Sequence, residues 1–276
     1  INPDDQPGNN KQKEFSMKFE KDTRGIKRYI AFDIHKEYAL VGGQNAQQEW
    51  VMAPRRIGME KLREWAKANL GKGDAVVIET TTNVWDVYDI VEPRVSYTVV
   101  AHAGGVRQIA EARVKTDKKD IERLIRLLIA DIVPVVWVPP VEVRELRGMI
   151  SYRTRLVKTS TMIRNRLQSL IHRHNLILPK GKLRDKAWWE AQQVSELERI
   201  QIRQELAMLD EMEKHEGEVD AELGRQSLGE VWGKQAMRLL QLSGFGVIVT
   251  MTVLSAIGDV TRFESGKKLV GYSGLG

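Results

Sequence analysis

Four carboxylates in the first half of the sequence stand where a metal site could form. Asp33 directly follows an apolar run typical of a buried strand, and Glu79 follows a second such run. Asp117 and Asp120 are three residues apart at the start of a predicted helix, so they share one face of it. Carboxylates brought together repel one another unless a cation lies between them, and oxygen ligands suit Mg²⁺ or Mn²⁺. The pattern therefore predicts a site for one of these ions.

Each acid also has a purely structural interpretation. Asp33 and Glu79 could simply end their strands, and Asp117 could be the N-cap of its helix, a position that aspartate often takes. The metal-site hypothesis depends on the four acids occurring together, two at the ends of strands and two at the start of a helix. The ends of neighbouring strands in a mixed sheet can converge on one crevice.

The elements that must position these acids alternate in a way that predicts a mixed α/β sheet. Three strand-like segments begin near residue 28, and a helix, a strand, a helix, a strand and two further helices follow. After Pro139 and Pro140 hydrophobic residues recur at three- and four-residue steps. These steps predict a helix over residues 141–178 and another over residues 187–223, paired as a helical hairpin or coiled coil.

Charge is distributed unevenly over these two helices. The whole chain has 43 Lys and Arg against 37 Asp and Glu, a formal net charge of +6. Residues 141–190 hold 12 basic and 4 acidic residues, whereas residues 191–230 hold 4 basic and 11 acidic. Basic residues at this density are typical of phosphate contacts, but the two helices could equally pair with each other, and the two interpretations are compatible. The helix cations predicted to contact nucleic acid are Arg144, Arg147, Arg153, Arg155, Lys158, Arg164, Arg166 and Arg173.

The composition excludes several classes of protein. Because the chain has no cysteine, a disulfide framework, a thiolate metal cluster and a cysteine nucleophile are excluded. Its five histidines are scattered, which argues against a histidine-based zinc site. No stretch reaches the ~18 apolar residues needed to span a bilayer, and residues 1–24 have no apolar signal-peptide core. We expect a cytoplasmic protein without membrane contact, whose residues 1–25 form a disordered tail.

Three short motifs carry a resemblance to a known family. Residues 32–36 (Phe-Asp-Ile-His-Lys), 78–81 (Ile-Glu-Thr-Thr) and 115–120 (Lys-Thr-Asp-Lys-Lys-Asp) resemble the DEDD transposases of one insertion-sequence family. These proteins are bridge-RNA-guided recombinases and are similar to the pilin-gene inverting recombinase. Sugar kinases and actin-like ATPases also have an aspartate after their first strand, but the Gly-rich phosphate loops of those proteins are not evident here.

The resemblance implies both a fold and a set of site residues. The fold would be ribonuclease H-like, of the Holliday-junction-resolvase type, with acids on the first strand, the fourth strand and the last helix. The catalytic, Mg²⁺- or Mn²⁺-binding quartet would be Asp33, Glu79, Asp117 and Asp120. Lys115, which begins the third motif, is predicted to contact nucleic acid.

The end of the sequence resembles the start of the family's second conserved domain. Residues 239–246 lead into a predicted helix and look like a helix-hairpin-helix, in which Gly244 and Gly246 permit a tight turn whose backbone N–H groups can meet a DNA phosphate. Such matches also arise in ordinary helical hairpins. In the family a serine nucleophile follows in a Ser-Gly motif, which we expect beyond Gly276. Ser273 precedes that motif and is not assigned the role.

These observations predict four segments and a function. The segments are a tail (1–25), a ribonuclease H-like catalytic domain (26–138), a helical hairpin or coiled-coil insertion (139–230) and a partial C-terminal helical domain (231–276). The resemblance implies a C-terminally incomplete DNA transposase or recombinase that binds donor and target DNA and a guide RNA, and forms homodimers or higher oligomers through its long helices. Two alternatives stay open: a metal-dependent junction resolvase that uses water, and a non-catalytic nucleic-acid-binding protein.

Overall fold

The computed structural model describes residues 25–109 and 117–274. The chain divides between Val138 and Pro139 into two units. Residues 1–24 of the predicted tail, and Lys115, lie outside the described residues. Among the residues that are described, no helix combines the length and the apolar character that crossing a bilayer requires.

The first unit is built around a β-sheet that mixes parallel and antiparallel pairs. Its strands are β1 (Arg28–Ile34), β2 (Tyr38–Gln44), β3 (Trp50–Gly58), β4 (Asp74–Glu79), β5 (Tyr97–Ala101) and β6 (Val135–Val136). Within the described residues they lie in the order β3-β2-β1-β4-β5-β6. The β1–β4 and β4–β5 pairs are parallel, whereas β2 is antiparallel to β1 and β3, and β6 is antiparallel to β5. The predicted mixed α/β sheet is confirmed.

Helices cover both faces of this sheet. They are α1 (Leu62–Asn69), α2 (Val84–Val91), α3 (Ala103–Ile109) and α4 (Asp117–Ile129). The helices α1 and α2 pack on the face to which Phe32 and Ile78 point, and α4 packs on the face of Ala31 and Val77. Because β1 and β4 are covered on both sides, their sequences are apolar at consecutive positions rather than at alternate ones.

Two strand predictions were incomplete. The third strand was expected over residues 48–52, but β3 extends to Gly58 and includes Pro54. The pairing between β2 and β3 shifts so that Ala53 and Pro54 stand opposite Gly42 alone. Such a bulge on an outer strand tolerates a proline, which has no N–H to donate. The two-residue β6 was not predicted, since a strand this short has no measurable periodicity.

The second unit is helical. Its helices are α5 (Val141–Arg173), α6 (Lys186–Glu190), α7 (Glu196–Gln226), α8 (Gly233–Leu239), α9 (Val247–Ile257) and α10 (Gly266–Tyr272). The long helices α5 and α7 share a buried apolar core that includes Ile163, Leu167, Ile202 and Leu209.

The predicted single helix over residues 187–223 was wrong, because the chain breaks between α6 and α7. The Ser195 side chain accepts a hydrogen bond from the backbone N–H of Glu198, and the Glu198 carboxylate accepts one from the backbone N–H of Ser195. This capping box starts a new helix at Glu196 and could have been read from the Ser-x-x-Glu spacing.

Gly42 on β2 determines how closely α4 approaches the sheet. A Cβ atom at this position would lie 2.9 Å from Ile121 Cγ2, 3.1 Å from Pro54 Cγ and 3.1 Å from Trp50 Cζ3. The absent side chain therefore leaves the room that Ile121 of α4 occupies, and the position of Asp120, one residue earlier, follows from that packing.

We expect Gly42→Val to lower the free energy of unfolding by about 1–3 kcal/mol, because an added side chain overpacks a filled core. Urea denaturation followed by circular dichroism measures this change. Gly71→Ala is the matched control, since a Cβ at Gly71 meets nothing within 4 Å. If the two variants were equally stable, the missing side chain at Gly42 would not be what allows α4 to pack closely on the sheet.

Candidate functional site

Asp33 and Glu79 lie side by side at one end of the sheet. The strands β1 and β4 are parallel with Phe32 opposite Ile78, and each acid is the next residue on its strand. Side chains alternate along a strand, so Asp33 and Glu79 point to the same face as Ala31 and Val77, which is the face covered by α4. The two strand-end acids and the helix that carries Asp120 therefore meet on one face.

The electrostatics of Glu79 show that three of the four predicted acids interact. Burial raises the pKa of Glu79 above its ordinary value, the negative charge of Asp33 raises it further, and Asp120 adds to the effect. Arg123 and Arg107 act in the opposite direction and lower the pKa. The structure thus brings Asp33, Glu79 and Asp120 together in a partly buried place where like charges disfavour ionisation.

Two neighbouring side chains contact these acids directly. The Asp33 Oδ2 atom lies 3.4 Å from His35 Nε2, and Arg123 Nη2 donates a hydrogen bond of 2.8 Å to Asp120 Oδ1. Among the described residues, no three acidic or histidine side chains are close enough to enclose an ion. Asp117 begins α4, but its side chain lies outside the description.

The chemistry of these residues fits a hard divalent cation. The acids that approach one another offer only carboxylate oxygens, the ligands that Mg²⁺ and Mn²⁺ prefer. Burial and the negative charges of Asp33 and Asp120 raise the pKa of Glu79, and a bound cation would favour its ionised form. The metal site stays a prediction, and the structure adds Arg107 and Arg123 to its surroundings. The sequence indicated Arg123 only through its i, i+3 spacing from Asp120. It gave no indication of Arg107, which tertiary packing brings close to Glu79.

Half of the predicted nucleic-acid cations on α5 form ion pairs with α7. The pairs are Arg153 with Glu216 and Asp220, Arg164 with Glu213, Arg166 with Glu205, and Arg173 with Glu198. Residue numbers rise along α5 as they fall along α7, so the two helices are antiparallel. The pairing interpretation is confirmed for these four arginines, and their contact with nucleic acid stays a prediction.

The other α5 cations have different surroundings. Arg155 and Lys158 are exposed, and the Arg155 guanidinium lies 5.6 Å from the centroid of the Tyr152 ring. Arg144 is half-buried and has polar or charged interactions of its own. Arg147 instead donates hydrogen bonds to the backbone oxygens of Ser255, at 2.7 Å, and Ala256, at 3.0 Å.

Arg147 therefore stabilises the C-terminal end of α9, a role that the sequence did not indicate. The last carbonyl groups of a helix have no partner within the helix and carry partial negative charge. Arg262 donates to the oxygen of Ile257 at 3.0 Å, and the Tyr272 hydroxyl lies 3.4 Å from the oxygen of Ala256. Side chains from α5, from the segment that follows α9 and from α10 thus satisfy one helix end.

The predicted turn before α9 is present. Gly244 has a φ of 84°, a left-handed conformation that favours glycine, and Gly246 is the extended N-cap of α9. Both glycines are exposed. The structure therefore places a helix, a turn and a helix here, as expected for the motif, and its contact with a DNA phosphate stays a prediction.

Comparison with known proteins identifies similar sequences. Residues 236–276 match the sequence profile of the family described as "Transposase IS116/IS110/IS902 family". The protein "Putative transposase y4qE" of Sinorhizobium fredii (strain NBRC 101917 / NGR234) is 29% identical over 163 residues, which are 59% of this chain and 40% of that protein. The matched region thus spans less than half the length of this relative. These findings confirm the resemblance to insertion-sequence transposases.

We expect Glu198→Ala to lower the melting temperature at neutral pH. Hydrogen bonds from His174 and from the backbone and hydroxyl of Ser195 lower the pKa of Glu198 from its ordinary value of 4.5 to about 2. A carboxylate with a lowered folded-state pKa stabilises the fold fully above its ordinary pKa, and this stabilisation is lost as the pH falls towards 2.

The difference in melting temperature between wild type and Glu198→Ala should therefore shrink below about pH 4.5 and vanish near pH 2. Thermal unfolding between pH 2 and pH 7 measures it. Glu190→Ala, at an exposed position, is the control and should show no such dependence. A constant difference across the pH range would argue against the ionised capping box.

Proposed function

We propose that this chain is part of a DNA transposase or recombinase of the DEDD type, with a ribonuclease H-like catalytic domain as its first unit. The observation that carries the proposal is the meeting of Asp33, Glu79 and Asp120 on one face of the sheet. These acids stand on the first strand, the fourth strand and α4, the arrangement that the resemblance implies. The family match of residues 236–276 supports the same function independently.

The acids would hold a divalent metal ion. Asp33, Glu79 and Asp120, with Asp117 from the first turn of α4, would be its ligands. Mg²⁺ or Mn²⁺ bound here would supply positive charge for the oxygens of a phosphate group under attack. Arg123 holds the Asp120 carboxylate at 2.8 Å, and the partial burial of Glu79 keeps these charges in surroundings less polar than water.

The resemblance also suggests how DNA strands would be exchanged. A serine oxygen would form a bond to phosphorus while the bond between phosphorus and a deoxyribose oxygen breaks, and the released oxygen would take up a proton. The serine ester conserves the energy of the phosphodiester bond, so the strand can be transferred without an external energy source. The acids of the first unit would assist this step by holding a divalent metal ion, whose positive charge would attract and orient the phosphate.

Donor and target DNA, a guide RNA and a second copy of the chain are the proposed partners. Arg155 and Lys158 on α5 are exposed cations that could contact phosphates. Two apolar residues near the same end of the hairpin support self-association through the long helices. Ile177 leaves 90% of its surface exposed, and Leu197 leaves 79% exposed. An interface with a second copy of the chain would cover these apolar side chains.

We expect Mn²⁺ or Mg²⁺ to raise the melting temperature, and Asp33→Asn or Asp120→Asn to abolish this response. At about 100 times Kd, a ligand of the folded state stabilises by about 2.7 kcal/mol, which corresponds to roughly 5–10 °C. Asp86→Asn is the control, because Asp86 is an exposed residue of α2 on the other side of the sheet. An unchanged response in both site variants would refute the metal assignment.

The reaction type is tested in a longer chain that includes the expected Ser-Gly motif and carries the same substitutions, with Mg²⁺ and labelled donor and target DNA. Protein-linked DNA that resists denaturation and is absent in Asp33→Asn supports the transposase. Cleaved DNA with free ends and no protein-linked product would contradict it and favour the junction resolvase. Binding without any cleavage in native protein would favour the non-catalytic alternative.

We expect substitution of the exposed cations of α5 to affect DNA binding, and substitution of its ion-paired cations to affect stability. Arg155→Gln with Lys158→Gln should weaken duplex DNA binding and reduce the salt slope by about 1.8, which corresponds to two phosphate contacts, with little change in melting temperature. Arg153→Gln with Arg164→Gln removes the same charge but also the ion pairs from α5 to Glu216, Asp220 and Glu213 of α7, so its main effect should be a lower melting temperature. Fluorescence anisotropy and thermal unfolding measure the two effects. If both double variants changed DNA binding and melting temperature equally, ion pairing would not distinguish cations that contact DNA from cations that stabilise the fold.

A further inference from the structure

The strand beside the acid site leads directly into α3. The parallel pairing of β4 with β5 sets Glu79 opposite Ala101, and the backbone N–H of Thr80 donates a hydrogen bond of 2.9 Å to the oxygen of Ala101. The Thr80 hydroxyl accepts a hydrogen bond of 3.1 Å from the backbone N–H of Ala103. The first residue of α3 is therefore held by the residue that follows Glu79.

No long exposed side chain precedes Arg107 in α3. The helix begins with one alanine and two glycines (residues 103–105), and Val106 is buried in the core under α4. A Cβ atom at Gly105 would lie 2.8 Å from Pro134 Cβ, so the first turn packs closely on the segment before β6. Arg107 is exposed and is therefore the first long side chain of α3 that solvent can reach near the strand ends.

The two arginines near the acids have different surroundings. Arg123 Nη2 donates a hydrogen bond to Asp120 Oδ1, and only 15% of the Arg123 side chain is exposed, so the site itself holds this guanidinium. Burial raises the pKa of Glu79, and the positive charge of Arg107 opposes that shift. Among the described residues, however, no hydrogen bond joins Arg107 to Glu79 or Asp120. The N–H groups of Arg107 are therefore the better placed of the two sets to bind a group from outside the chain.

The charge around Arg107 depends on whether the acids hold a cation. In the metal-free protein the nearby carboxylates offset the charge of Arg107, so an anion gains little from approaching it. When the carboxylates coordinate a divalent ion, its charge exceeds the negative charge it meets at any one ligand, and the surroundings of Arg107 become more positive. A guanidinium then suits a phosphate, because its N–H groups can bond two phosphate oxygens at once.

We propose that Arg107 binds the phosphate of the DNA strand at the acid site, and that it does so when the acids hold a divalent ion. This proposal rests on the proposed function, because it takes Asp33, Glu79 and Asp120 as the metal ligands. The guanidinium bonds two oxygens of the phosphodiester and orients it from the β5 side of the site, while Arg123 keeps Asp120 in place. Arg107 is thus a substrate-binding residue and has no part in holding the metal.

The proposal is tested by fluorescence anisotropy with a labelled single-stranded DNA, in Mg²⁺ in one arm and in EDTA in the other. Arg107→Gln should weaken binding about tenfold in Mg²⁺, the equivalent of one charge-assisted contact, and have little effect in EDTA. The control is Arg63→Gln, which removes an exposed cation from α1 on the opposite face of the sheet and should bind like wild type in both arms. An equal loss by Arg107→Gln in the two arms, or no loss in Mg²⁺, would overturn the proposal.

A second variant tests the paired hydrogen bonds at constant charge. Arg107→Lys keeps the positive charge but not the planar fork of the guanidinium, so its affinity in Mg²⁺ should lie between those of wild type and Arg107→Gln. Wild-type affinity in Arg107→Lys would show that a point charge suffices and that the bidentate contact is wrong. Thermal unfolding should show that both variants keep the stability and the Mg²⁺ response of wild type, because loss of a positive charge does not hinder the binding of a cation. A lost Mg²⁺ response in Arg107→Gln would make Arg107 a structural part of the acid site and overturn the proposal.

Asp33→Asn separates this proposal from the proposed function. In the Asp33→Asn background, adding Arg107→Gln should cause no further loss of DNA affinity in Mg²⁺, because the acids no longer hold the ion and the two substitutions act on one site. If the melting temperature of wild type does not respond to metal, the acid site is refuted and this inference falls with it. If wild type responds to metal and Asp33→Asn does not, but Arg107→Gln binds DNA like wild type in Mg²⁺, only the present inference is refuted.

Discussion

The parallel pairing of β1 with β4 is the constraint on which the first unit depends. It places Asp33 beside Glu79 at the end of two strands, and the repulsion between them must be balanced by the rest of the fold. The apolar packing on both faces of these strands supplies the stability. The raised pKa of Glu79 is a sign of the opposing electrostatic cost, which is concentrated at the place where a cation would be bound. Gly42 contributes to this arrangement, because its missing side chain lets α4 pack closely and bring Asp120 near the two strand-end acids.

The second unit uses charge in the opposite way. Its long helices carry unlike charges that pair across the hairpin, and Glu205 can be 6% exposed because Arg166 lies 3.1 Å away. A buried carboxylate without such a partner would be strongly destabilising. The arginines that face α7 therefore contribute to the fixed pairing of the two helices. Surface pairs of this kind add little stability individually, and the apolar core between the helices remains the main source of it.

The sequence allowed much of the first unit to be predicted, because short apolar runs separated by glycine and charge are typical of buried strands. The position of the acids at strand ends followed from the same runs. The extent of β3 did not, since its bulge depends on Gly42 and on the pairing partner β2. The surroundings of the acids were also missed, because Arg107 reaches Glu79 only through tertiary packing. On α5 the charge pattern was compatible with both phosphate contact and ion pairing, and only the positions of the α7 carboxylates could distinguish Arg153 from Arg155.

The chemical role of each arginine in this chain is set by the group beside it. Arg147 meets backbone carbonyls, Arg164 meets a carboxylate, and Arg56 meets an aromatic ring. The first contact caps a helix, the second joins two helices and neutralises charge, and the third orients a guanidinium over the face of a ring. A count of basic residues therefore overstates the charge on α5 that a phosphate could meet, since four of its arginines pair with α7. Attraction to a phosphate depends on the charge that remains after the contacts within the chain are made. By this criterion the exposed Arg155 and Lys158 are better suited to contact a phosphate than the four arginines of α5 that pair with α7.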